Sequence, residues 1–147
     1  MKISTKGRYG LRALLDLAVH SRGEHVPLSN IAERQNISEN YLEQVFSALR
    51  KAGIINSVKG AQGGYVLADR VAEIKVGTIL RVLEGDLSVA NEELPQEGGV
   101  SIQECIQVKV WDQMTERINE LVDSLTLEDL VHEYNVMSGH SGIMYYI

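Results

Sequence analysis

Apolar side chains near the start of the chain recur at helical spacing. Leu11, Leu14, Leu15 and Ala18 occupy positions i, i+3, i+4 and i+7, the pattern of a helix with one buried stripe. Thr5 stands before this stripe and is a residue type that favours the N-cap position. The pattern therefore predicts a first helix that begins near Thr5.

Two further helical patterns follow with a very short connection between them. The first covers residues 29–35, and the tight turn Asn36-Ile37 comes directly after it. Ser38 is a favourable N-cap for the next helix, which ends at Arg50-Lys51-Ala52-Gly53, with cations at the negative end of the helix dipole. The order predicts a helix-turn-helix.

A β-hairpin is predicted immediately after these helices. Residues 54–58 and 65–67 are short strand candidates, and they flank the glycine-rich segment 59–64. A further helix is predicted over residues 76–84, before a glycine stop. Helix, turn, helix and hairpin in this order are typical of a winged helix-turn-helix.

The second half of the chain predicts a long helix preceded by an acidic loop. Ser101 and Glu104 have capping-box spacing and open a helix over 101–125. Its apolar residues recur in steps of three and four, which predicts a dimer seam, although an intrachain core would need the same stripe. These residues are Trp111, Met114, Ile118, Leu121 and Leu125.

Together these patterns predict a mainly α-helical protein with one small β-hairpin. We expect a winged helix-turn-helix DNA-binding domain over 1–84 and an acidic loop over 85–100. Dimerisation helices are expected over 101–134, the last of them capped near Thr126, and a C-terminal tail over 135–147.

The charge distribution changes the meaning of the net charge of −6. Residues 1–82 carry twelve basic and seven acidic side chains, whereas residues 83–147 carry two and thirteen. A basic front half suits a phosphate-bearing partner, and an acidic back half suits water or another protein. Chance clustering of solvated faces is the alternative interpretation.

Composition and motifs argue against several classes of protein. No apolar run approaches a membrane span, and the first residues do not resemble a signal peptide. The single cysteine excludes an intrachain disulfide and an all-cysteine metal site within one chain, so a cytoplasmic location is expected. No nucleophile motif, acid–base pair or P-loop suggests an enzyme.

The third helix carries the side chains suited to reading DNA. Gln and Asn can pair with adenine, Glu can accept a hydrogen bond from cytosine, and the hairpin would bring Lys59 to the sugar–phosphate edge. An ordinary polar surface helix is the alternative. The exposed candidates on this helix are Ser38, Glu39, Asn40, Tyr41, Glu43 and Gln44.

Several segments resemble one bacterial family over essentially the whole chain. They are Met1-Lys2-Ile3-Ser4-Thr5-Lys6-Gly7-Arg8-Tyr9, Ile37-Ser38-Glu39-Asn40-Tyr41-Leu42-Glu43-Gln44, Leu49-Arg50-Lys51-Ala52-Gly53 and Lys59-Gly60-Ala61-Gln62-Gly63-Gly64-Tyr65. In sequence and order they are similar to the family of IscR and CymR, dimeric winged-helix repressors that bind inverted-repeat operators.

The resemblance implies roles for individual residues. Phosphate contacts beside the first helix would come from Ser4, Thr5, Lys6, Arg8 and Tyr9. The groove-facing side of the recognition helix would carry Ser38, Tyr41, Glu43 and Gln44. The wing would be formed by Lys59, Gly60, Gly63 and Gly64, and the helix over 101–125 would pair with its dimer mate.

Many members of this family hold an iron–sulfur cluster, and the resemblance places only one of the three cysteines here. Cys105 aligns with the third, whereas the other two fall near Glu93 and Gly99, and the usual histidine near Val108. A single thiol does not make a cluster site, so no cofactor or metal is expected. Cys105 is then a half-buried apolar residue or a redox-responsive thiol at a helix start, where Glu104 opposes activation.

The cluster-free pattern is most similar to the cysteine-metabolism members of the family, which predicts a role in sulfur metabolism. A redox- or iron–sulfur-responsive regulator of the same family and a non-DNA adaptor are the alternatives. The tail ends in Tyr145, Tyr146 and Ile147. An isoleucine carboxylate suits a backbone nest beside an apolar pocket, and the resemblance suggests cysteine synthase as its partner. The tail could instead pack back on the dimer.

Overall fold

The computed structural model describes residues 1–139, and its elements follow the predicted order. A 3₁₀ turn at Val71–Glu73 and a π-helical segment at Gln107–Trp111 accompany the regular elements. The helices and strands are α1 (Thr5–His20), α2 (Leu28–Gln35), α3 (Glu39–Lys51), β1 (Ile55–Val58), β2 (Gly64–Leu67), α4 (Val76–Glu84), α5 (Ile102–Ile106), α6 (Asp112–Ser124) and α7 (Leu127–Met137). The mainly α-helical fold with one small hairpin is confirmed.

The cap of α1 differs from the prediction. Ser4, not Thr5, is the N-cap: its backbone is extended and its hydroxyl accepts a hydrogen bond from the Gly7 amide at 3.2 Å. Thr5 is already helical and accepts a bond from the Arg8 guanidinium at 3.1 Å. Both residue types can cap a helix, with serine somewhat better than threonine, and the contact of Ser4 with Glu84 of α4 further favours the serine.

The turn between α2 and α3 is made by one left-handed residue. Asn36 has φ 55° and ψ 49°, a conformation that asparagine tolerates better than most side chains. The chain then becomes extended at Ser38, whose hydroxyl caps α3 by accepting from the Tyr41 amide at 3.4 Å. This confirms the predicted helix-turn-helix and fixes where the recognition helix begins.

The wing is an antiparallel hairpin, and one isolated β-bridge extends it on the outer side of β2. Ile55 pairs with Leu67, and the ladder ends with Val58 opposite Gly64. Val26, in the connection before α2, exchanges both backbone hydrogen bonds with Tyr65, each at 2.9 Å. The hairpin is therefore tied to the helix-turn-helix through the backbone.

One hydrophobic core unites the front and back of the chain. The side chain of Leu127, at the start of α7, is fully buried in the same cluster as residues of α1 and α3. Two backbone bonds hold α7 there: the Val76 amide donates to Leu125 O at 2.8 Å, and the Leu127 amide donates to Ile74 O at 2.9 Å. The segments 1–84 and 101–134 thus share a core.

Two boundaries in the second half differ from the sequence pattern. The predicted helix over 101–125 contains the wider π turn at Gln107–Trp111. Helix α7 continues to Met137, beyond the predicted end at 134, because nothing breaks the helix before Gly139, which has φ 80°. The predicted partner-binding residues Tyr145, Tyr146 and Ile147 lie outside the described residues. Within residues 1–139, no helix is long and apolar enough to cross a bilayer.

Candidate nucleic-acid interface

The recognition helix α3 separates its apolar and polar faces cleanly. Ser38, Glu43 and Gln44 are exposed, and Tyr41 is half-buried. The opposite face is buried in the core through Leu42, Val45, Phe46 and Leu49. A helix anchored on one face in this way presents fixed polar groups, as reading of base edges in a groove requires.

The wing stands beside α3 and closes one side of a cleft. Lys59 and Gly60 are exposed at its tip, and Lys59 lines a cleft of about 460 Å³ together with Glu43 and Ser57. The cleft therefore has an acidic side chain on the helix and a basic one on the wing. A carboxylate can select a cytosine amino group and a lysine can contact phosphate without selecting sequence.

Two wing glycines serve the packing of the wing itself. A side chain at Gly64 would meet the backbone of Val26 and would lie 2.8 Å from Pro27 N. A side chain at Gly63 would meet the carbonyl of Val58. Gly64 thus lets the wing approach the connection before α2, and Gly63 lets the hairpin close on its own backbone.

His25, in the connection before α2, makes a contact with the wing that the sequence interpretation missed. Its Nε2 is hydrogen-bonded to the carbonyl of Gln62 at the wing tip, and the histidine is half-buried. No local sequence pattern marks this contact, because residues 25 and 62 are far apart in the chain. The contact ties the wing tip to the connection that precedes α2.

The start of α1 is exposed and carries the predicted phosphate-binding side chains. Thr5, Lys6 and Arg8 all face solvent. Ser4 is engaged within the chain, since its amide donates to Glu84 Oε1 at 3.1 Å and its hydroxyl also contacts that carboxylate. Glu84 supplies the negative charge that a helix N-terminus favours, and it fastens α1 to α4.

Aromatic and cationic side chains connect α1 with α3. The rings of Tyr9 and Tyr41 meet edge to face, with centroids 6.0 Å apart. The Arg12 guanidinium carbon lies 4.7 Å from the Tyr9 ring centroid and that of Arg8 lies 5.8 Å away. Arg12 was not predicted as a site residue; its position four residues after Arg8 on the same helix face is the signal that was available.

A buried carboxylate holds α1 against α2. Asp16 is 3% exposed and accepts hydrogen bonds from Arg34 Nη2 at 2.7 Å, Arg34 Nε at 3.0 Å and Gln35 Nε2 at 2.7 Å. Hydrogen bonding to this carboxylate raises the pKa of Arg34 above its ordinary value. The pair sets the position of α2 beneath the recognition helix.

The predicted dimer seam is divided between exposed and intrachain positions. Met114 and Leu121 are 44% and 60% exposed, while Trp111 and Ile118 are half-buried. Leu125 packs in the chain's own cluster with Val76, Leu80 and Leu87, so at this position the stripe serves the intrachain core. Further exposed apolar residues near the same helices are Val100, Ile102, Ile106, Val108 and Val110.

A ladder of polar side chains fastens the acidic loop to the long helix. Gln103, Gln107, Thr115 and Asn119 stand at multiples of four residues, and each bonds to the loop backbone. Their partners are Glu93 O at 3.1 Å, Ala90 O at 3.3 Å, the Val89 amide at 3.0 Å and Leu87 O at 3.2 Å. Because an α-helix turns 100° per residue, side chains four residues apart point in directions that differ by about 40° around the helix axis. The π turn has more residues per turn and so brings these side chains closer to one line facing the loop.

Cys105 is exposed, which corrects the expectation of a half-buried apolar residue. It lies on the outer side of α5, where Cys105 and the exposed Val100 and Val108 border one shallow pocket with Glu104 and Lys109. The inward-facing positions of this helix are taken by the glutamines of the ladder, which leaves the thiol at the surface.

Comparison with known proteins identifies what this arrangement resembles. The sequence matches the Rrf2 family model, described as "Iron-dependent Transcriptional regulator", over residues 3–133. It is 39% identical to the HTH-type transcriptional regulator IscR of Serratia proteamaculans over 137 residues, 93% of this chain and 83% of that protein.

Solved structures resemble the fold at similar identity. CymR, the global cysteine regulator of B. subtilis, is 42% identical with a TM-score of 0.78, covering 90% of this chain and 98% of that one. IscR of T. potens is 46% identical with a TM-score of 0.74, covering 91% and 88%. These relatives are transcriptional regulators. They confirm the prediction that the chain is a DNA-binding regulator and not an enzyme.

The residues present do not fit the iron group that the family description implies. Cys105 is the one thiol and is exposed, and the loop positions near it offer Glu93 and Gly99. Within residues 1–139, no three metal-ligating side chains come together. Iron–sulfur clusters need four thiolates or close substitutes, so this donor set does not form such a site.

Proposed function

Because the chain belongs to the Rrf2 family of transcriptional regulators, we propose that it represses transcription as a homodimer bound to an inverted-repeat operator in the cytoplasm. The observation that carries the proposal is the cleft lined by Glu43 of α3 and by Lys59 of the wing. One element can read bases there while the other holds the backbone.

The operator proposal is tested by footprinting and by salt titration. We expect two half-sites whose separation follows the two-fold axis of the dimer, and duplex affinity that falls steeply with salt as counterions are released. Protection of one asymmetric half-site, or affinity that is independent of salt, would contradict it.

Exposed apolar surface on α5 and α6 supports the dimer. Val100 and Ile102 are 83% and 82% exposed, and Leu121 on α6 is 60% exposed. Large apolar side chains that face water are expected where a partner chain covers the surface. Sedimentation should give twice the chain mass, whereas Leu121→Glu should shift the equilibrium towards monomer; Glu116→Gln, on the same helix, is the control.

The regulatory role that we propose is control of cysteine and sulfur metabolism. It is supported by the similarity to CymR, a global cysteine regulator, and by a donor set that does not fit an iron–sulfur cluster. Transcript profiling of a strain lacking the gene should show derepression of sulfur-assimilation genes. Derepression confined to cluster-assembly genes would favour an iron–sulfur-responsive regulator instead.

We further propose that the tail residues Tyr145, Tyr146 and Ile147 contact cysteine synthase, which would act as a corepressor. Their large apolar side chains suit an apolar pocket on a partner protein. Removal of Ile147 should abolish binding to the enzyme and leave operator binding by the free repressor unchanged. Equal enzyme affinity before and after removal would refute this proposal without affecting DNA binding.

A further inference from the structure

Two arginines on α1 lack a carboxylate partner within the described residues. Arg34, Arg70 and Arg81 each form an ion pair at 2.7–2.8 Å. Arg8 and Arg12 form none within residues 1–139, and both are exposed. They stand four residues apart on one helix face, an arrangement in which like charges repel.

Arg12 is nevertheless held in a defined position. Its Nη2 donates to the carbonyl of Gln35 at 3.0 Å, at the C-terminal end of α2, where the helix dipole favours a cation. Its guanidinium lies 4.7 Å from the centroid of the Tyr9 ring, a distance at which the ring attracts a cation. A guanidinium has five N–H donors, and the Gln35 contact uses only part of them.

The position of Arg12 is coupled to the recognition helix. The Tyr9 ring, against which the Arg12 guanidinium packs, meets Tyr41 of α3 edge to face. Gln35 precedes the turn that leads into α3. Arg12 therefore contacts α2 directly and is linked to α3 through the Tyr9 ring. An anion bound beside the start of α3 would relieve the repulsion between Arg8 and Arg12.

We propose that Arg12 is an additional DNA-contacting residue that binds a backbone phosphate, oriented by Tyr9 and by the Gln35 carbonyl. This inference rests on the DNA-binding function and adds a residue to those suggested by the family resemblance. Phosphate is the ligand because Arg12 lies beside the recognition helix and its guanidinium is a cationic donor, which attracts any backbone phosphate without selecting a base.

The salt dependence of DNA binding separates this role from a structural one. Arg12→Met keeps an apolar stem against Tyr9 and removes the charge, whereas Arg12→Lys keeps the charge. For Arg12→Met, the slope of log affinity against log salt should fall by about 0.9 for each protomer bound. The decrease should be the same on operator and unrelated duplexes of equal length, and Arg12→Lys should restore most of it.

Arg70→Met is the matched control, because Arg70 is an exposed arginine paired with Glu73, and its slope should equal that of the wild type. An Arg12→Met protein with weaker binding but an unchanged slope would overturn the inference, since Arg12 would then only support Tyr9. Unchanged affinity and slope would overturn it as well. Failure of the wild-type protein to bind any duplex would instead refute the DNA-binding function.

Discussion

Glu43 and Lys59 face the same cleft with opposite charges, so their contributions to DNA binding should differ in kind. A carboxylate near DNA is repelled by every phosphate and is favourable only where a base amino group donates a hydrogen bond to it. A lysine on a wing attracts every backbone equally. Selectivity and affinity are therefore carried by two separate side chains across one cleft.

Glu43→Ala should alter the order in which operator variants bind, with changes of about 1–3 kcal/mol at the position that it reads. Lys59→Ala should weaken all duplexes alike and lower the salt slope by about 0.9 for each protomer. Competition binding against a panel of single-base variants measures both effects. An identical order of variants for Glu43→Ala and wild type would refute the reading role.

Local chemistry made individual caps predictable, and distant contacts were beyond prediction. Ser38, Ser101 and Thr126 cap their helices as expected, because capping depends on residues three positions away. His25 and Arg12 were missed, since each is placed by a carbonyl more than 20 residues along the chain. Pattern alone does not record such contacts.

At the scale of elements, the wing depends on its close contact with Val26. Gly64→Ala places a methyl group against the Val26 carbonyl, where backbone must shift, and overpacking of this kind costs roughly 1–3 kcal/mol. Thermal unfolding should show the loss, together with weaker DNA binding. Gly99→Ala is the control, because no atom lies within 4 Å of its added Cβ; equal melting temperatures for both variants would contradict the packing role.

The loop ladder predicts a measurable local effect. Thr115 Oγ1 is the acceptor for the Val89 amide at 3.0 Å, so Thr115→Val removes one hydrogen bond while preserving shape. Loss of about 1 kcal/mol should accelerate hydrogen exchange of the Val89 amide roughly fivefold. Thr115→Ser retains the hydroxyl, so the Val89 amide should stay protected from exchange in that variant. Equal exchange of this amide in both variants would show that the hydrogen bond does not hold the loop.

The long helix shows why a stripe of apolar residues is ambiguous. Leu121 and Leu125 belong to the same three-and-four pattern, yet the first is exposed and the second packs against Val76 and Leu80. An apolar stripe indicates only that another apolar surface covers it, whether that surface belongs to the same chain or to a partner. The π turn at Gln107–Trp111 was equally hidden, because no residue type marks a wider turn.

Across the whole molecule, α4 and α6 are joined by an ion pair whose strength depends on pH. Arg81 donates to both carboxylate oxygens of Asp123 at 2.8 Å and to Asn119 at 2.6 Å. Hydrogen bonding to Arg81 lowers the pKa of Asp123 below its ordinary value of 3.8. The stabilisation is therefore complete above that value and is lost as pH falls through the lower, folded-state pKa.

Asp123→Asn should therefore reduce the free energy of unfolding at neutral pH, and its difference from wild type should shrink as acid protonates Asp123. Denaturant unfolding at fixed protein concentration across the acid range measures this difference. Glu116→Gln, on the same helix and without an ion pair in residues 1–139, should change little at any pH. A constant deficit of Asp123→Asn at all pH values would exclude the ion pair as its cause.

The return of α7 onto the core also bears on how such proteins can be recombined. Leu127 is fully buried among residues of the front half, and backbone hydrogen bonds at Ile74 and Val76 hold the start of α7 in place. Residues 1–84 are therefore not an independent folding unit. Fused to a foreign protein without α7, they would expose the apolar core surface that Leu127 covers. A chimaera between relatives must therefore include α7 together with residues 1–84.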